Sequence, residues 1–507
     1  MQSNQEISAS KQAAGKVSLV NIVSALFLFL IIVLNVFCAE KGSFFHKRVF
    51  LLPNWALLLI GLVFVALYFA LCRALQGTKF GKSAADISAR PMTIRIILLV
   101  VFVLQLAACY GAYFETGWDV KMLLDNARIY AGSGTLASAD YFSWYPNNLF
   151  LLKIYASMFK LFGGAAGIYV ILLINALSNS LSGLCLFRVL RKLFDVKRAW
   201  LGFVFWLVLV GTSPWLLVPY SDSVALFIPV LIFDLWLQAR EASFGKRMFL
   251  YVAVALLAAL SYRIKPQAFI VVIALILLQI KSLFKPGKVS EKALFVSVPC
   301  IVLAVFLALT GMWAKSSLNL TKESHFSMAH FLMMGANYDT NGTYSEEDVN
   351  YSSSYATVKE RSRADLLLTQ ERYADMSLNV FNHLKNKLLV NFHDGTFAWE
   401  KEGNFYTTIY PGKLPVISNV AASVSYGGGE AQKASECIRQ CFWLTLLIMA
   451  VLSGLTCRNK ELSTIFLTIL GLIVFLLLFE ARARYLYSNV PLFIVVALSF
   501  QLPKKNK

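Results

Sequence analysis

The chain is built from apolar runs close to the roughly 20 residues a helix needs to cross the hydrocarbon core of a bilayer. They fall near 17–38, 51–74, 93–113, 165–187, 199–217, 223–239, 248–262, 266–280, 293–314, 438–457, 462–479 and 485–501. With 58% hydrophobic and 15% charged residues, a soluble fold is excluded, and the expected class is an all-α polytopic membrane protein of about twelve transmembrane helices. A net charge of +19 would suggest nucleic acid in a soluble protein. Here Lys and Arg gather in short segments between the runs, so the charge encodes topology and nucleic acid is set aside as a partner.

One segment decides the topology. Residues 148–162 are apolar but only about 15 long, and they carry Lys153 and Lys160. If this segment lies in the interface without crossing, the basic clusters Arg188–Arg198, Arg240–Arg247, Lys281–Lys292, Arg458–Lys460 and Lys504–Lys507 all face the cytoplasm. Both termini are then cytoplasmic in a multi-pass plasma-membrane protein, and the basic loop Lys41–Arg48 is the exception. The N-terminus lacks the pattern of a cleaved signal, so the first run reads as a retained span. The eight Cys lie mostly inside apolar runs and suggest neither a disulfide framework nor a zinc site.

The expected organisation follows. Residues 1–92 form a cytoplasmic tail and two accessory spans. A membrane core over 93–314 includes an outer loop at 114–164 with interfacial helices. A mainly helical extracytoplasmic loop domain occupies 315–436, and 437–507 hold the C-terminal spans. Within 315–436, apolar residues return every three to four positions around 345–389, as in helices. The sequons at Asn319, Asn341 and Asn350 are too common by chance to carry weight.

This topology places several ionisable groups on the extracytoplasmic face, where charges at span ends suggest a site. Asp119 follows Gly117-Trp118 and opens the amphipathic stretch DVKMLLDNARIY, with Glu115 nearby. Val120, Leu123, Leu124 and Ala127 are expected on the membrane, with Lys121, Asp125 and Arg128 toward water. A carboxylate held at the bilayer surface beside Trp118 suits a general base toward a sugar hydroxyl; the alternative is an N-cap. Tyr145-Pro146-Asn147-Asn148 suits a turn back into the interface, with amides able to bind sugar hydroxyls. Asp222 belongs to the Tyr220–Ser223 turn. Arg263, Lys265 and Gln267 flank Pro266, and Glu480, Arg482, Arg484 and Tyr485 form a second cluster. Such groups can grip a lipid phosphate, or they can snorkel to bulk lipid with Glu480 as an internal partner. His325 and His330 are five apart, which does not bring two imidazoles onto one helical face, so no metal is expected; either could contact a phosphate.

The order of Asp119, Tyr145-Pro146-Asn147-Asn148 leading into a helix that ends Leu161-Phe162-Gly163, the Tyr220-Ser221-Asp222 turn and the late Glu480-x-Arg482-x-Arg484-Tyr485 resembles the GT-C class of glycosyltransferases. It is most similar to the bacterial members near the protein mannosyltransferases and aminoarabinose lipid A transferases, especially Gram-positive proteins thought to decorate cell-wall glycopolymers. The resemblance implies inverting transfer of a sugar from a polyprenyl-phosphate carrier to a hydroxyl of an extracytoplasmic glycan, lipid or protein, with no cofactor. Asp119 would be the base, and Arg263, Lys265, Arg482 and Arg484 would neutralise the departing lipid phosphate. A single Asp after Trp118 departs from the adjacent acidic pair of that pattern. The competing readings are a lipid-linked sugar flippase or transporter, and a polysaccharide polymerase or ligase using a lipid diphosphate. A transporter would carry charge at the midplane and repeat symmetry, whereas this chain has its charges at span ends and no internal repeat.

Overall fold

The computed structural model describes residues 16–38, 51–283, 289–318, 320–321, 323–399, 402, 406–409, 413–425 and 429–500. The basic loop Lys41–Arg48, the C-terminal Lys504–Lys507 and Asn319 lie outside the described residues.

The N-terminal half runs α1 (Leu19–Phe37), α2 (Asn54–Leu75), α3 (Lys79–Ala89), α4 (Pro91–Ala112), strand β1 (Phe114–Thr116), α5 (Trp118–Ser133), α6 (Ala139–Trp144), α7 (Leu149–Leu193), α8 (Val196–Trp206), α9 (Ser221–Val224), α10 (Ile228–Ala239), α11 (Phe244–Ile264) and α12 (Ile270–Leu283). It continues with α13 (Val289–Lys315), α14 (Met328–Gly335), α15 (Glu346–Ser353), α16 (Val358–Met376), α17 (Asn379–Phe392), strand β2 (Tyr406–Ile409), α18 (Pro415–Ser425), α19 (Glu430–Thr456), α20 (Ser463–Leu478) and α21 (Val490–Ala497). Among the described residues, 8 helices are long and apolar enough to cross a membrane, with four shorter apolar helices beside them. The protein is an all-α, multi-pass membrane protein.

Burial separates its layers. Every residue of α21 is buried, as a helix apolar on all sides requires, and it packs on α7, α8, α19 and α20. The outer helices α2, α4 and α13 leave rows of apolar side chains exposed, such as Leu59, Val63 and Leu67 on α2 and Ile301, Val305 and Leu309 on α13. In a membrane these rows meet lipid tails, so no protein partner is required to cover them.

The segment 148–162 is continuous with the span that follows, in one 45-residue helix bent at Gly163 (φ 77°), a conformation that glycine adopts without penalty. Before the bend α7 is largely buried beneath α5, and at the bend Leu161 and Phe162 are exposed. Two expectations are corrected here. Val120, Leu123, Leu124 and Ala127 do not lie on lipid; all four are buried against α7, because that half-helix offers a protein surface where the sequence suggested a bilayer. The run at 199–217 is not one straight span. It is α8, then a π-helical turn over Leu207–Gly211 and a 3₁₀ turn over Pro214–Leu217. Pro214 cannot continue a helix, and the carbonyls this break frees are bonded by amides of neighbouring helices. Gln105 Nε2 donates to Gly211 O (2.8 Å), Asn179 Nδ2 to Val210 O (3.1 Å), and Asn175 Nδ2 to both Leu216 O and Val218 O (3.0 Å each). Beyond the break the chain turns inward, which buries Ser221 and Asp222.

Between α13 and α19 lie helices α14–α17, of which α14 and α17 pack on α20. The apolar helix α18, within a segment that reads as hydrophilic overall, packs on α4 and α19.

Asn147 and Arg191 are exposed near the two ends of α7. In a cysteine-free background, a cysteine at 147 should react with a membrane-impermeant maleimide in intact cells, and one at 191 only after permeabilisation. Labelling of both from one side would make 149–162 a crossing segment.

Candidate active site

Pairing of β1 with β2 sets the site's frame. The strands are antiparallel, with Phe114 opposite Ile409, Glu115 opposite Thr408 and Thr116 opposite Tyr406. This tethers the segment before Asp119 to the chain just past Glu402, residues far apart in sequence. Arg128 bridges back to Glu115 (3.1 Å) and to Asp125 (3.3 Å), tying α5 to β1. At the first residue of α5, Trp118 takes φ 47°, a left-handed conformation that costs a bulky residue about 1–3 kcal/mol and must be held by its surroundings. Its indole Nε1 donates to Thr116 Oγ1 (3.1 Å), and its ring meets Tyr220 edge-on at 5.3 Å.

Asp119 is the second residue of α5, whose N-cap is Gly117, and no side-chain capping bond is made at that helix end. Tyr141 Oη donates to Oδ1 (2.7 Å) and Tyr220 Oη to Oδ2 (3.2 Å). Asn148 joins them, donating from Nδ2 to Tyr141 Oη (3.0 Å), with its Oδ1 3.4 Å from Tyr220 Oη. Tyr220 has one proton for two acceptors, and Asp119 is the nearer. Burial, then the adjacent Asp119, pushes the Tyr141 hydroxyl well above its ordinary pKa, so it remains a donor. Asp119 itself is only half-buried. It is a carboxylate with fixed orientation and an open side.

Directly beside it lies a buried charge cluster. The Arg484 guanidinium sits 4.5 Å from the Trp118 ring centroid and 5.2 Å from that of Tyr220. It pairs with Asp222 Oδ2 (2.8 Å) and Glu402 Oε2 (2.6 Å). Lys265 closes on the other Asp222 oxygen (2.5 Å) and lies over Tyr485 at 4.2 Å. Arg482 reaches Glu480 Oε1 (2.9 Å) and Glu402 Oε2 (3.3 Å), and Tyr485 Oη donates to Glu480 Oε2 (2.9 Å). Three acids thus meet three bases. Burial alone would push the Glu480 carboxyl up, but Arg482 beside it holds it below the usual range. Burial pushes the Lys265 amine down to about 8 against the pull of Asp222. Of the three cations, Lys265 and Arg484 are 5% and 3% exposed and Arg482 is 20% exposed, so Arg482 is the one that presents surface to a ligand.

The other expected residues are distributed unevenly. Trp118, Asn148, Asp222, Glu480 and Tyr485 join the assembly, and Glu115 braces it through Arg128. Asn147 is exposed at the turn before α7. Tyr145 lies close enough to Asp119, Tyr344, Glu480 and Arg482 to feel their charges, and burial raises its pKa first. Gln267 is buried, and its Oε1 has no hydrogen-bond partner. Arg263 is elsewhere: its guanidinium crosses to α13, where it bonds Thr310 Oγ1 and Leu307 O and lies against Gly311. The first basic cluster therefore contributes Lys265 but not Arg263, whereas the second contributes both Arg482 and Arg484. His330 is fully buried, stacked on Phe326 at 4.1 Å and bonded to Ser352 Oγ (2.7 Å), and burial lowers its pKa to about 4, so it is neutral. His325 is exposed beside that stack. No group of three or more His, Cys, Asp and Glu able to hold a metal occurs among the described residues.

Sequence reasoning missed Glu402, Tyr141, Tyr344 and Lys387. Tyr344 is 50% exposed, with Arg482 over its ring at 5.8 Å. Glu402 carried no local signal, since its place depends on strand pairing. Tyr141 lies between Asp119 and the Tyr145-Pro146 turn, where a phenol on one turn of helix could have been weighed.

Asp222 is the anion that two buried cations share. Asp222→Asn should destabilise the protein by about 3–5 kcal/mol, the usual cost of stranding buried charge. The expected readout is a lower thermal unfolding midpoint in detergent; an unchanged midpoint would mean that Lys265 and Arg484 do not depend on it.

No curated protein matches the chain in sequence. Among solved structures, ArnT from Cupriavidus metallidurans bound to undecaprenyl phosphate aligns over 81% of this chain and 77% of its own, at 13% identity and a TM-score of 0.37. The same protein in the apo state aligns over 80% and 77%, at 12% identity and a TM-score of 0.34. Similarity this slight carries no argument about fold or activity. The family model described as "conserved hypothetical integral membrane protein" matches residues 15–504, and the chain belongs to that family of membrane proteins.

Proposed function

We propose that the protein is a GT-C-type glycosyltransferase that moves a sugar from a polyprenyl-phosphate carrier to a hydroxyl of a glycan, lipid or protein acceptor. Its site faces the outside of the plasma membrane and both termini face the cytoplasm. The observation that carries this reading is the joining of Asp119, aimed by Tyr141 and Tyr220, to the Arg482–Arg484 cluster through the Trp118–Arg484 stack. A base and fixed cations side by side are what displacement of a lipid phosphate by a hydroxyl requires.

In this reading the acceptor hydroxyl gives its proton to Asp119 as its oxygen forms a bond to the anomeric carbon. The bond from that carbon to the phosphate oxygen breaks on the opposite face, and its electron pair leaves with the lipid phosphate, inverting the centre. Arg482, with exposed surface, meets the developing charge. Arg484 and Lys265, committed to Asp222 and Glu402, hold Arg482 and Asp119 in register and set the local potential. Low dielectric around the cluster strengthens this stabilisation, and the buried frame removes the cost of reorganising it. Asp119 returns its proton to water through its open side.

The test is transfer of labelled sugar from a defined polyprenyl-phosphate sugar in membranes carrying the full-length protein. Asp119→Asn should lower the rate by about 10²–10⁴-fold, the range for loss of a general base. Arg482→Ala should lower it by about 10²–10³-fold, as for a lost charge-stabilising donor. Undiminished transfer by Asp119→Asn ends the base assignment.

A further inference from the structure

Next to Glu480, two helices end against each other. Helix α14 stops at Gly335 and α20 at Leu478. A Cβ at Gly335 would stand 2.3 Å from Leu478 O and 2.7 Å from Phe479 O, so only glycine allows this approach. Carbonyl-terminated helix ends each carry about half a negative charge and repel. Lys387, on α17, is fully buried between them. Its Nζ donates to Gly335 O (2.6 Å) and to Phe479 O (2.8 Å). His383, one turn earlier, places Nε2 3.0 Å from the same Gly335 oxygen. The clasp extends to the site itself: Ala481 N donates to Gly342 O (2.7 Å), and Gly342, at φ 73°, leaves room for the amine.

We propose that Lys387 is a positioning residue, through which helices α14–α17 set the placement of the Glu480–Arg484 segment and hence of the cations around Asp119. This rests on the glycosyltransferase reading for its catalytic consequence, though not for the contact. A side chain that only filled space would not need a charge at this point; two converging helix ends and Glu480 do. Glu480, on the segment after α20, and His383, on its own helix, are the titratable groups facing the amine. Burial pushes Lys387 down to about 7 against the pull of Glu480. A deprotonated amine still has two protons for the two carbonyls, so the contact survives deprotonation while the field on Glu480 changes.

The experiment uses full-length protein in membranes. Lys387→Arg, charged at every accessible pH, should retain activity and lose the decline of kcat above pH of about 7, moving it upward by about one unit toward the titration of Lys265. Lys387→Met should lower kcat about tenfold at all pH with acceptor KM unchanged, and Gly342→Ala, which presses on the amine from the other side, should do the same. Wild-type kcat in Lys387→Met, or an alkaline limb unmoved in Lys387→Arg, overturns the proposal. Hydrogen exchange at the Ala481 amide reads the contact without activity: it should be faster by tenfold or more in Lys387→Met, and unchanged exchange also overturns it. A wild-type protein that transfers no sugar while this exchange responds refutes the glycosyltransferase reading and leaves the positioning role standing.

Discussion

The pairing of Asp222 with Lys265 and Arg484 is the contact on which the rest of the site depends. All three are almost fully buried, and a charge moved from water into an apolar bundle costs several kcal/mol unless its partners are in place. Each partner comes from a different part of the chain: the turn into α9, the connection between α11 and α12, and the segment after α20. Glu402 is the fourth member of the network. The cluster thus selects one arrangement of the surrounding helices, since a shifted helix would strand a charge.

Buried ion pairs seldom add net stability relative to apolar side chains of the same volume, so a network this dense is weak support for a purely structural role. Its placement beside Asp119 is what the proposed function rests on. Arg484 stacks on Trp118, Trp118 is held in a strained left-handed conformation, and the next residue is Asp119. Strain of that kind persists only where neighbours enforce it, and here they are Thr116, Tyr220 and Arg484. Asp222 and Glu402 neutralise Arg484, its stack on Trp118 ties the cluster to the residue before Asp119, and Tyr141 and Tyr220 aim the carboxylate.

Around this centre the protein applies one rule of the membrane, that no backbone polar group be left unpaired. The break after α8 frees carbonyls, and Asn175, Asn179 and Gln105 bond them. The meeting of α14 and α20 exposes two more to each other, and Lys387 takes both. At both of these irregularities polar side chains from distant helices complete the pairing, which helps to fix the segments leading to Tyr220 and Glu480.

The sequence by itself determined the membrane class, the positions of most apolar helices and the chain order of the polar segments, because span length and charge placement are local properties read directly from composition. It also marked Asp119, Asp222, Lys265 and the Glu480–Tyr485 run as charges worth explaining. Only the tertiary structure decided which of them meet. Arg263 and Lys265 are two residues apart, yet one turns to Thr310 on α13 and the other to Asp222, a difference no spacing encodes. Glu402 enters through a strand pair with residues before Asp119, and Tyr141 and Tyr220 each bond a different oxygen of the carboxylate. The hydrophobic pattern says which residues leave water, whereas the direction a buried charge takes depends on where its counter-charge stands, and that is fixed only once the whole bundle has closed.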